Sequence, residues 1–200
     1  MFAPLPQERA EGFLRNLIRF LDEEKIVLNR ISTPSVEREN SGVMVGAVCC
    51  HRLNGDETAE VFAYTVSGSA YVIDDAANVA GGIFVGPIVS PSLIADALEP
   101  NDREIHQLTD SINDGKKSGI DVTELVKKRE KLTTASLKAV HDLYYFTCWD
   151  GMKISLGSIC HKKIPGKLPP TGTGDCCAPK LLDWCYRNGL RPVSMCEMYY

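Results

Sequence analysis

The chain has 200 residues, 44% of them hydrophobic, with 22 lysines and arginines against 26 acidic residues and a formal net charge of -4. That length and apolar content suffice for one domain with a real core, or two small ones, and the acidic balance argues against a stand-alone nucleic-acid binder with a broad basic face. No stretch approaches the roughly 18 apolar residues of a membrane span, and Met1 to Arg9 lacks the basic start and apolar run of a secretion signal. A cytoplasmic protein with no membrane partner is therefore expected. In that compartment its eight cysteines read as reduced thiols or metal ligands, most of them small buried residues. The adjacent pairs Cys49-Cys50 and Cys176-Cys177 suit a disulfide framework poorly, and no Cys-x-x-Cys occurs.

In chain order, residues 7 to 28 predict a helix, because Phe13, Leu14, Leu17, Ile18, Leu21 and Leu28 recur at helical spacing after Pro6. A polar stretch with Pro34 follows as a loop. Residues 43 to 53 are rich in valine and lead into Asn54-Gly55, the strongest short hairpin signal, with residues 60 to 66 as the returning strand. Residues 67 to 91 hold turns at Gly81-Gly82 and Gly86-Pro87. A helix from Leu93 is expected to break at Pro100, restart at Asn101-Asp102 and run to Ile112. After glycines at 115 and 119, a second long helix covers 121 to 145, and the two form a helical hairpin. The charge run Lys127 to Lys131 reads as a solvated face.

Asp150-Gly151 predicts a turn, and residues 164 to 174 a loop rich in proline and glycine. Residues 175 to 188 then predict a helix, with Pro179 tolerated in the first turn and Gly189 as C-cap. Residues 191 to 200 read as a strand. The expected fold class is α/β (α+β): a small mixed sheet with packing helices in a single domain, 1 to 200, with a helical insertion at 92 to 147.

The most informative stretch is PPTGTGDCCAPKLL, Pro169 to Leu182. Thr171, Gly172, Thr173 and Gly174 lead into a helix N-terminus, where free N–H groups and the helix dipole favour an anion. Asp175 stands where an N-cap is wanted. Cys176 and Cys177 fall in the first turn, where a thiol pKa is lowered and metal or redox chemistry becomes possible. Lys180 completes the candidate ligand-binding set. An ordinary helix start accounts for the same residues, since capping needs no ligand. The loop is not a P-loop, lacking Gly-Lys-Ser/Thr, nor a dinucleotide fingerprint, lacking a preceding strand.

This run, followed by Gly189-Leu190-Arg191-Pro192 and Met195-Cys196-Glu197, resembles the N-terminal region that precedes the catalytic domain in RluA-family pseudouridine synthases. There the pattern is PP-x-G-x-GEC-x-APKLL, then GL-x-P and M-x-E-[FW]-W. The likeness follows most of the chain in order, but its specific part is 169 to 197. In the family the region continues into a Cys-containing segment and the synthase domain, which holds the catalytic Asp and is absent up to Tyr200. The resemblance implies an accessory, RNA-related module with structured RNA or a synthase catalytic domain as partner and no catalytic residue of its own.

His51-Arg52-Leu53-Asn54 imitates the synthase His-Arg-Leu-Asp signature, but an amide replaces the carboxylate, and Asn54-Gly55 is explained as a turn. Gly174 to Lys180 is also similar to the Gly-x-Cys-Ala-Glu-Pro-Lys helix start of toxin-type zinc deaminases. That second likeness implies a partly deaminase-like sheet and leaves zinc as the one cofactor to consider. Ala178 stands at the proton-moving Glu, so a degenerate nucleotide- or metal-binding domain is what it implies. The likeness makes Cys176 the candidate metal ligand, and Cys160 and Cys196 could join it only if the fold brings them near. A protein-interaction module using the 101 to 145 helices is the third expectation. His106 and His141 read as helix residues without a ligand role. The neighbours Cys160 and His161 are expected to point apart along a strand, and Tyr144, Tyr145, Phe146 and Trp149 are expected in the core.

Overall fold

The computed structural model describes residues 5–30, 42–53, 59–69, 71–74, 81–163 and 166–200. In chain order the elements are α1 (Glu8–Asp22), β1 (Val27–Arg30), β2 (Met44–Arg52), β3 (Glu60–Val66), β4 (Tyr71–Asp74) and β5 (Ile83–Phe84). They continue with α2 (Pro91–Lys117), α3 (Thr123–His141), β6 (Tyr145–Thr147), β7 (Lys153–Ser155), α4 (Leu156–Lys163), α5 (Cys177–Arg187) and β8 (Leu190–Tyr199). The protein is thus mixed α and β, with small sheets and packing helices. Its described residues divide into two compact units: 1–88, 146–154 and 172–200 form the first, and 89–145 with 155–171 the second. The Asn54-Gly55 turn and Pro34 lie outside the described residues.

The first unit is built on a four-stranded sheet in the order β5-β3-β2-β8. Central β2 runs antiparallel to both β3 and β8, while β5 joins β3 in parallel, so the sheet is mixed. Both faces are covered, which is why β2 reads as a continuous apolar run rather than an alternating one. Val45 and Ala47 face α1 and pack with Ala10 and with Leu14, Leu17 and Leu21 of the helical stripe read from sequence. Val48 and Cys50 face α5 and pack with Cys177, Leu181 and Cys185. Pro192, which has no N–H to donate, sits opposite Cys50, and the β2–β8 register shifts between Cys49 and Cys50 to accommodate it.

Helix α1 is shorter than its apolar period implies. It stops at Asp22, Glu24 takes a left-handed φ of 55°, and the chain enters β1, which pairs with β4. Leu28 still packs against the core that Leu21 enters, so the seven-residue interval between them matched both conformations. The ribbon β6–β7 closes through Asp150 and Gly151, whose φ is 81°. Its tip leaves Trp149 79% exposed and Tyr145 half exposed, whereas Tyr144 and Phe146 are buried as expected of core aromatics.

In the second unit α2 is unbroken through Pro100. The proline is at an exposed position, where water can take the carbonyl it strands, and the next residue, Asn101, donates to Ser136 Oγ on α3 at 3.1 Å. Packing between the two helices, with a Lys128–Glu104 ion pair at 2.7 Å, outweighs the local break. Ser90 caps α2 and Pro91 is its first residue. Cys160 and His161 lie in helix α4, not in the strand their neighbour pattern implied.

Two expected outcomes follow from this packing. A Cβ added at Gly46 would lie 2.4 Å from Cys177 Cβ, so Gly46→Ala is expected to cost about 1–3 kcal/mol in urea unfolding. In the second unit, burial pushes the His141 pKa down, and the nearby Pro170 backbone offsets this only in part. Neither ring nitrogen has a hydrogen bond of ordinary geometry. The fold therefore favours neutral imidazole, while the unfolded chain takes up a proton below a pH of about 6.5. Stability is expected to be full above that value and to fall as the pH drops below it. In urea titrations across that range, His141→Gln is expected to flatten the slope.

Candidate functional site

The segment from Thr171 to Lys180 folds as two tight turns followed by the start of α5. Gly172 and Gly174 have φ of 80° and 105°, a region other residues rarely adopt, so both glycines are required by the turn itself. Asp175 N–H donates to the Gly172 carbonyl at 3.0 Å, and the Asp175 carbonyl accepts from Gly68 N–H at 2.8 Å. Thr171 and Gly172 are exposed and Thr173 is half-buried. Helix α5 begins one residue later than expected. Cys176 occupies the N-cap position with an extended backbone and an exposed thiol, and Cys177 is the first helical residue.

The positive end of α5 is already occupied by a protein anion. Glu197, reaching across from β8, accepts from Ala178 N–H through Oε1 at 2.9 Å. This carboxylate supplies the first-turn acceptor that the sequence assigned to the Asp175 side chain. Lys180 turns inward instead of toward a ligand and is 1% exposed. Its Nζ donates to the Val66 carbonyl at 2.8 Å and also to the Gly68 carbonyl. Burial lowers its pKa, and the charge of Asp175 opposes that shift. Asp175, Lys180 and Glu197 thus fasten the start of α5 to β8 and to the end of β3.

Cys177 runs against the expectation of a reactive helix-terminal thiol. Its Sγ lies 3.3 Å from the Met44 carbonyl, beneath the helix and over Gly46. Burial, with the nearby Glu197 charge, pushes its pKa up to about 12. Loss of water outweighs the helix dipole. Cys176 is the exposed member of the pair. Cys196 belongs to the core on the α1 face of the sheet, whereas Cys177 belongs to the core on the α5 face. Among the described residues, no three His, Cys, Asp or Glu side chains are grouped to hold a metal ion.

The roles of three contributors escaped the sequence reading. Asp183 is buried, accepts from Thr147 N–H at 2.8 Å and pairs with Arg187 at 2.8 Å, which ties α5 to the β6–β7 ribbon. Its signal was an acidic residue on the apolar stripe, four positions before an arginine. Glu197 carried no local signal, because its partner comes from another element. Cys50 and Cys185 meet with their sulfurs 3.0 Å apart, across 135 positions of chain.

In a timed iodoacetamide reaction of the native chain near neutral pH, mass mapping is expected to find Cys176 modified well before Cys177. Equal rates would contradict the burial described above. Among the described residues, no helix is long and apolar enough to cross a membrane. No family model matches the chain, and no curated protein or solved structure matches it either.

Proposed function

We propose that the chain is an accessory, RNA-related module of the kind that precedes the catalytic domain in RluA-type pseudouridine synthases. It positions structured RNA, or that catalytic domain, in the cytoplasm and performs no chemistry itself. The observation that supports this reading is how the resembling residues are used. Asp175, Lys180 and Glu197 all act in internal contacts that hold α5 on the sheet. Pro169 to Glu197 is therefore a folding signature, as an accessory module requires.

Anisotropy of a labelled structured RNA tests this directly. Binding in the range of roughly 10⁻⁶–10⁻⁴ M, weakening as salt is raised, is the expected result. Flat anisotropy at low and moderate salt, with no retention of an RluA-type catalytic domain on the immobilised chain, overturns it.

A second reading rests on a specific observation. The order α1, β2, β3, α5, β8, with two cysteines where α5 starts, suits the first half of a deaminase-like sheet. With Ala178 at the proton-moving position, such a domain would bind zinc or a nucleotide without deaminating it. Elemental mass spectrometry of the reduced chain beside Cys176→Ala decides it. Stoichiometric zinc lost in the variant supports the deaminase-like reading. Zinc-free protein, with the variant folded like the parent, rejects it.

A further inference from the structure

We propose that Cys50 and Cys185 form a latent dithiol couple that closes to an intramolecular disulfide joining β2 to α5. Their sulfurs are 3.0 Å apart, and both residues are wholly buried in the cluster that includes Val48, Leu181 and Leu190. A disulfide has a sulfur–sulfur distance of about 2.05 Å, so the pair must close by about 1 Å. That displacement is on the scale of side-chain torsion. The spacing of the cysteines in sequence gives no hint of the pair, since 135 positions separate them.

The neighbouring cysteines are held elsewhere. Cys49 lies opposite Phe62 in the β2–β3 register, and Phe62 stacks on Phe13 of α1, so Cys49 is on the other face of the sheet. Burial pushes its thiol up to about 11. Cys196 packs in the core on that same α1 face. Cys177 shares the α5 face, but its sulfur rests on the Met44 carbonyl. Contact with Cys50, together with burial, keeps the Cys185 thiol protonated. The couple is therefore insulated: it reacts when α5 lifts from the sheet, and it is no nucleophile toward outside substrates.

The oxidant is a small-molecule disulfide of the glutathione type. One protein thiolate attacks it, breaks its sulfur–sulfur bond and releases one small thiol. The second protein thiolate then attacks the mixed disulfide and releases the other. Two S–H bonds are lost from the protein and one S–S bond forms. The two electrons and two protons end on the two small thiols. The product closes a long loop, since 135 positions of chain separate the two cysteines, and this restrains the unfolded chain.

The test equilibrates the full chain without oxygen in glutathione mixtures from strongly reducing to strongly oxidising. Acid quenching, alkylation and peptide mapping follow. A parallel series contains urea below the unfolding transition, so that α5 can open. The expected result is one cross-linked peptide pair, Cys50 with Cys185, lighter by two hydrogens and absent from Cys50→Ala and Cys185→Ser. The parent's own map decides the matter even if a variant folds poorly. A folded chain that keeps both thiols free in the most oxidising mixture, with and without urea, overturns the proposal. So does pairing of either residue with another cysteine.

Discussion

Cys177 Cβ rests over the bare backbone of Gly46, and this close approach of helix to strand sets the geometry of the first unit. With the helix that near, Glu197 reaches the Ala178 N–H, Lys180 reaches the carbonyls at the end of β3, and Cys185 reaches Cys50. A residue with a Cβ at position 46 would push the helix outward and loosen all of these contacts together. The glycine lies in a strand interior, where its lack of a side chain is ordinarily a weakness. Here it admits the first turn of α5.

Burial decides the chemistry of this region more than charge does. A helix N-terminus ordinarily lowers a thiol pKa, yet Cys177 is pushed the other way because it has lost water and faces Glu197. Lys180 looks like an anion-binding lysine in sequence, but its ammonium faces two carbonyls inside the fold. Both residues were singled out for their chemical type, and both act through their position under the helix. Polar groups of this stretch hold secondary structure in place.

Much of the architecture was legible in the sequence, and the reasons are local. The stripe of Leu14, Leu17 and Leu21, the valine-rich strand and Gly189 after α5, with φ 62°, each carry their own signal. Ser90-Pro91 was an equally local signal for the start of α2 that the periodicity at Leu93 obscured. What escaped was settled by packing. Pro100 ought to end a helix, but the surface of α3 sustains it. Leu28 fits a helical period and belongs to a strand. The Glu197 contact and the Cys50–Cys185 contact join separate elements of the chain, so inspection of neighbouring residues could not find them.

The place of β2 in the sheet also bears on how the protein is made. One side of this strand pairs with β3, which follows it within a few residues, but the other pairs with β8, which comes only after α5. During synthesis the hairpin partner emerges at once, while the second edge of β2 has no partner until β8 has left the ribosome. The helices of the second unit, rich in near-neighbour contacts, can form in that interval. An apolar strand with one bare edge is meanwhile exposed to pairing with a neighbouring nascent chain. The order of translation thus imposes a long wait on the most buried strand.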